Sequence, residues 1–130
     1  MTTAPPSFCF RKSARLLTAR QFQRVFDHVD CKQGGKYFTL LSASNQHHCS
    51  RLGLVVAKRH LPRAVERNKT KRKIRESFRI WSAENNALED SFDVVVLVKP
   101  AIRQLGDNKT HAELMQQWQK LKQKRLKLPL

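Results

Sequence analysis

Residues 64–81 read AVERNKTKRKIRESFRIW. Seven of these residues are Lys or Arg and two are carboxylates. Ile74, Phe78 and Trp81 recur at spacings of four and three, which predicts a helix with one apolar edge. At 100° per residue, these three side chains fall within about 60° of one another, with Thr70 and Ser77 beside them. Asn68, Arg72, Arg75 and Arg79 fall in a second window, also about 60° wide. Lys71 flanks that stripe on one side, and Lys69 and Lys73 point toward the opposite flank. Arg67 projects along the apolar edge near the start of the helix.

A charge run usually marks a solvated face, but such a face mixes signs, and here only Glu66 and Glu76 offset the cations. Like charges also stand four residues apart, at Arg67/Lys71, Lys71/Arg75 and Arg75/Arg79, and each such pair is unfavourable until a partner absorbs the charge. Guanidinium groups grip two phosphate oxygens at once. An Arg stripe with Asn68 on it therefore points to a polyanion.

Working outward, Pro62 suits the first turn of this helix, which is expected over residues 62–84. Before it, SRLGLVVAK (50–58) reads as a strand. Leu52, Leu54 and Val56 lie on one face and Gly53, Val55 and Ala57 on the other. Two mostly apolar faces predict a central strand. KYFTLLSAS (36–44) reads as an earlier strand, and DCKQGGK as a break punctuated by Gly34 and Gly35. TARQFQRVF opens with a capping-box pattern, Thr18 with Gln21, and Phe22, Val25, Phe26 and Val29 follow at helical spacing, predicting a helix over 18–29. After the basic helix, FDVVVLVKP (92–100) is a strand closed by Pro100. GDNKTHAELMQQWQKL (106–121) is a final helix with a second capping-box pattern, Thr110 with Glu113, and a buried stripe of Leu114, Trp118 and Leu121. The basic tail KQKRLKLPL is expected to fray. The order is helix, two or three strands, helix, strand, helix: one α+β domain over residues 1–130, with about ten N-terminal and six C-terminal residues expected to be flexible.

The chain has 130 residues, 40% of them hydrophobic, with a formal charge of +16 and a pI near 10.7. That field selects RNA, DNA or an anionic surface as partner. No apolar run approaches a membrane span, and MTTAPPSFCF lacks the pattern of a secretory signal. Cys9, Cys31 and Cys49 form no CxxC pair and fit a reducing cytoplasm. His47, His48 and Cys49 are read as a polar turn, since no second pair stands at metal-site spacing. The ten carboxylates are scattered, and no Ser or Cys nucleophile has an evident base. Asp90 and Asp93 are read as bounding the last strand. No catalytic residue is assigned.

ERNKTKRKIRESFR resembles the signature helix of the bacterial ribonuclease P protein subunit, with its Arg-Asn-Arg, Lys-Arg and further Arg matched by Arg67, Asn68, Lys69, Lys71, Arg72 and Arg75. RLGLVVAKR resembles the family strand that ends in a basic pair, here Lys58 and Arg59. RLLTARQFQRVF resembles its first helix and FDVVVLVKP its last strand, so the likeness spans about Phe8 to Leu121. Lys69 stands where the family usually has Arg, and Thr70 and Lys73 where it usually has aliphatic residues. The resemblance implies a four-stranded mixed sheet with a left-handed β-α-β crossover, as in domain 2 of ribosomal protein S5. It implies a protein that binds a catalytic RNA which, with magnesium, removes the 5′ leader of precursor tRNA. It also implies a cleft between the first helix and the sheet for that single-stranded leader. Bases stack on aromatic rings while phosphates pair with cations, so Phe22, Phe26 and Phe38, with Arg15, Lys36 and Lys58, are the candidate lining. Some of these rings are expected to be partly exposed. Lys58, Arg59, Arg67, Asn68, Lys69, Lys71, Arg72, Arg75 and Arg79 are the candidate RNA contacts. Three other classes compete: a structural RNA-binding protein of ribosomal type, a DNA-binding regulator, and, least favoured, a membrane-surface helix.

Overall fold

A computed structural model describes residues 15–16, 18–45, 50–84 and 91–128. The elements run α1 (Ala19–Asp27), β1 (Cys31–Gly34), β2 (Phe38–Ser44), β3 (Arg51–Val55), α2 (Ala64–Glu84), β4 (Phe92–Val98), a short 3-10 helix (Pro100–Gln104) and α3 (Asp107–Leu126). The strands form one sheet in the order β1-β2-β4-β3. β1 and β2 are antiparallel, as are β2 and β4, whereas β3 lies parallel to β4. α2 joins that parallel pair, because adjacent parallel strands need a crossover. The α+β architecture and mixed four-stranded sheet are those expected.

Alternation along the strands sorts side chains to two faces. Phe38, Leu40, Leu52, Val94, Val96 and Val98 meet Ile74, Phe78 and Trp81 of α2 and Leu114, Trp118 and Leu121 of α3 in one large core. Trp81 and Trp118 stack with centroids 5.6 Å apart, and Phe78 tilts against Trp118 at 5.2 Å. Buried Ser77 accepts from Trp118 Nε1 at 3.0 Å and donates to the Ile74 carbonyl. On the other face α1 covers a small cluster of Leu16, Val25, Ala43 and Val95. The Thr18/Gln21 capping box of α1 is formed in both directions.

Six expectations are corrected. DCKQGGK contains strand β1: it lacks β-branched residues, yet Cys31 and Gln33 face inward and Gln33 donates to Gln117 of α3 at 3.2 Å. β3 is an edge strand, not a central one. It has apolar residues on both faces because α2 covers one and Phe22 the other, and among the described residues its outer edge meets a single bridge, to Arg15. It also ends at Val55, so Lys58 and Arg59 lie in the following turn. α2 starts at Ala64, two residues beyond Pro62. Thr110 does not cap α3: the helix begins at Asp107 with Gly106 as cap, and Thr110 Oγ1 donates back to the Gly106 carbonyl. The tail is helical to Leu126, because buried Arg125 reaches Asp30 at 2.7 Å, Ser42 at 2.7 Å and Ser44 at 3.0 Å. His47, His48, Cys49 and Asp90 lie outside the described residues.

Candidate nucleic-acid interface

α1 does not close over its sheet face. Val25 is its one buried residue; Phe22 is half-buried and Phe26 is 40% exposed. Between α1, β3 and α2 runs a cleft of two adjoining hollows, about 140 and 540 Å³, which share Phe22, Leu54 and Lys71. Phe22 and Phe26 form one wall, Leu54, Val55 and Val56 another, and Arg15, Lys71 and Arg75 supply cations. No carboxylate lines either hollow among the described residues.

Gly53 sets how closely Phe22 approaches the strand. A Cβ there would lie 2.6 Å from Phe22 Cε1 and 3.0 Å from a Leu16 methyl, so any larger residue pushes the ring away. Arg24 anchors α1 at its other end, donating to the Ser44 carbonyl at 3.2 Å and standing 3.6 Å from Asp93. Asp93 is fully buried and gripped on both oxygens by Arg51, at 2.8 and 2.7 Å, with Asn45 at 2.6 Å. It lies within β4 rather than bounding it, and its lone pairs are committed to protein partners.

The basic helix divides its cations among five tasks. Lys71 and Arg75 turn into the cleft. Burial, and then the Arg15 charge, push the Arg75 guanidinium below its ordinary pKa, so two cations repel each other across the hollow. Asn68 and Arg72 stand exposed on the outer stripe. Arg79 pairs with Glu76, whose carboxyl the Arg79 hydrogen bond lowers. Arg67, along the apolar edge, donates to the carbonyls of Leu61 at 2.9 Å and Pro62 at 2.7 Å and so fastens the loop before α2. Lys69 and Lys73 turn to the opposite flank, as the wheel predicts, and both engage Asp107.

Three candidates for the cleft lie elsewhere. Phe38 is fully buried in the large core, on the sheet face away from α1, because the even-numbered positions of β2 point toward α2 and α3. Lys36 sits in the β1–β2 turn beside the Tyr37 ring. Lys58 is exposed in the turn after β3, and Arg59 beside it donates to His60. The sequence reading missed Leu54, Val55 and Val56 as cleft wall. Its one signal was Gly53, a residue without a side chain in an apolar strand, which marks close approach.

This is the geometry of a small basic α+β protein with an aromatic, cationic cleft beside an Arg-rich helix. The family model "Ribonuclease P" matches residues 10–122. The chain is 39% identical over 112 residues to the ribonuclease P protein component of Pseudomonas aeruginosa, covering 86% of this chain and 80% of that one. It is 39% identical to that of Ectopseudomonas mendocina, covering 89% and 84%. The RNase P protein of Thermotoga maritima superposes with a TM-score of 0.65 at 28% identity, over 84% of this chain and 96% of that one. That of Staphylococcus aureus has the same fold, with a TM-score of 0.67 at 23% identity over 86% and 94%. The chain belongs to the ribonuclease P protein family.

Proposed function

We propose that this chain is the protein subunit of a ribonuclease P holoenzyme. It binds the catalytic RNA and the 5′ leader of precursor tRNA, and it assists the endonucleolytic removal of that leader. The observation that carries this reading is the cleft, where Phe22 and Phe26 offer ring faces and Arg15, Lys71 and Arg75 offer charge with no lining carboxylate. A single strand suits such a site because its unpaired bases can stack while its phosphates neutralise the cations. The outer stripe of Asn68 and Arg72 supplies a second surface, for phosphates of the catalytic RNA.

Magnesium belongs to the RNA in this reading. The carboxylates of this chain fit it poorly: Asp93 is held by Arg51, Asp107 by two lysines, and no three His, Cys, Asp or Glu side chains gather among the described residues. When bound to the RNA, magnesium activates water and stabilises charge at the scissile phosphate. The protein's part is to hold substrate and to offset repulsion between two RNAs, an effect that salt screens.

The test is cleavage of precursor tRNA by protein alone, by RNA alone and by both, over a magnesium series. The expected pattern is no cleavage by protein, cleavage at high magnesium by RNA, and cleavage at low magnesium by the pair. Arg72→Ala should flatten the salt dependence of RNA binding by about 0.9 in log-log slope, one phosphate contact. Robust cleavage by RNA-free protein, lost on changing one of its own carboxylates, overturns the reading.

A further inference from the structure

The flank of α2 away from the cleft borders a second concavity of about 650 Å³, between the start of α2, the 3-10 helix and the start of α3. Arg63, Lys69, Lys73 and Arg103 line it as cations, against the carboxylates of Glu66 and Asp107, so four positive charges face two negative. Lys69 Nζ lies 2.5 Å from Asp107 Oδ2 and Lys73 Nζ 3.1 Å from Oδ1. Two ammonium groups one helical turn apart thus converge on the two oxygens of a single anion. That is an oxyanion site, occupied by a carboxylate of the chain itself.

The occupant is easily displaced. The Asp107 side chain is 70% exposed, against 53% for Lys69 and 28% for Lys73, and ion pairs to so open a carboxylate are weak and screened by salt. A phosphodiester presents two non-bridging oxygens to the same lysines. Its binding also releases condensed counterions, a gain that an aspartate cannot offer. The floor is apolar, through Leu61 and Ile102, but among the described residues no aromatic ring lines the groove. It therefore suits sugar and phosphate rather than stacked bases, in contrast to the cleft.

We propose that this groove is a second RNA-backbone site, in which a phosphate displaces Asp107 from Lys69 and Lys73. α2 is then gripped by RNA on both flanks, and Asp107 acts as an internal competitor that weak contacts fail to dislodge. The proposal rests on the reading of the chain as an RNA-binding subunit.

The test uses the full chain with the catalytic RNA and precursor tRNA as separate probes. Affinity is measured over a salt series for Lys73→Gln, Asp107→Asn and Arg72→Ala, with melting temperatures alongside. Lys73→Gln should weaken binding to one RNA and flatten its salt slope by about 0.9. Asp107→Asn should tighten binding to the same RNA by roughly twofold to fivefold at low salt, the scale of one exposed ion pair. The probe affected identifies which RNA supplies the phosphate. Wild-type affinity and slope for both groove variants, with Arg72→Ala still impaired, overturn the groove alone. Weaker binding by Asp107→Asn in step with a lower melting temperature also overturns it, marking the pair as a brace between α2 and α3. Unchanged binding in all three variants removes the RNA-binding reading itself.

Discussion

The two faces of the sheet are built to opposite specifications. Toward α2 and α3, sixteen buried residues form a continuous core that includes both tryptophans. Toward α1, four buried residues form a cluster, and the neighbouring rings stay partly open. Both faces arise from strands of similar apolar content, so hydrophobicity does not distinguish them. What differs is the cover. Two helices of 21 and 20 residues seal one face, whereas a nine-residue helix leaves the other ajar. One face is sealed, and the other leaves its aromatic surface partly open.

Trp118→Ala should separate the faces most sharply. Removing a fully buried indole costs about 3–5 kcal/mol, a large share of the stability of a domain this size. Denaturant titration should register the loss. A cost under about 1 kcal/mol would mean that the sealed face is not the main source of stability.

Arg125→Ala comes next. It leaves Asp30 and Ser42 without their guanidinium partner, and a cost of about 2–3 kcal/mol is expected, below the range for fully buried pairs because Asp30 is partly exposed. Burial works against the Asp30 carboxylate, but hydrogen bonds from Ser44 and Arg125 outweigh it and hold the pKa below the ordinary 3.8. A depressed pKa contributes stability above 3.8 that is lost as pH falls through the folded-state value. Urea midpoints should therefore drop in that acid window for the wild type, and drop less in the variant.

Gly53→Val tests the border between the two designs. Its side chain would collide with Phe22 and Leu16, and overpacking of this kind costs about 1–3 kcal/mol. Leader-bearing RNA should lose affinity with it, since the ring is driven into the cleft. Retained stability and leader affinity would show that the close approach is dispensable.

Phe26→Ala should have the smallest effect on folding. Its ring is 40% exposed, so the melting temperature should barely change. A lost base stack is worth about 1–3 kcal/mol in binding, confined to RNA that carries a 5′ leader. Phe22→Ala is a less clean probe, because that ring also packs against Gly53 and Leu16. Equal losses for leader-bearing and leaderless RNA would assign Phe26 to general packing.

Much of this was legible in the chain. The spacing of Ile74, Phe78 and Trp81 identified the buried edge of α2, and the wheel separated Lys71 from Lys69 and Lys73. The Thr18/Gln21 box gave the start of α1. These succeed because helical periodicity and capping depend on neighbours within four residues. Thr110 with Glu113 has the same pattern and fails, because Gly106 already caps a helix that starts three residues earlier. The left-handed crossover was implied by family resemblance, not by patterning.

The sequence by itself determined the helix faces, the polyanion-seeking charge and an α+β order of elements, since each is carried by local spacing or by composition. Only the tertiary structure decided that β3 lies at an edge, that Phe38 is core while Phe26 opens to solvent, and that Arg125 is buried at the end of a basic tail. Pairing partners, sheet face and cover depend on residues far apart in the chain: Asp30 meets Arg125, Gly53 meets Phe22, and Asp107 meets Lys69. No periodicity records such meetings, because they are contacts between elements and exist only once the sheet has ordered them.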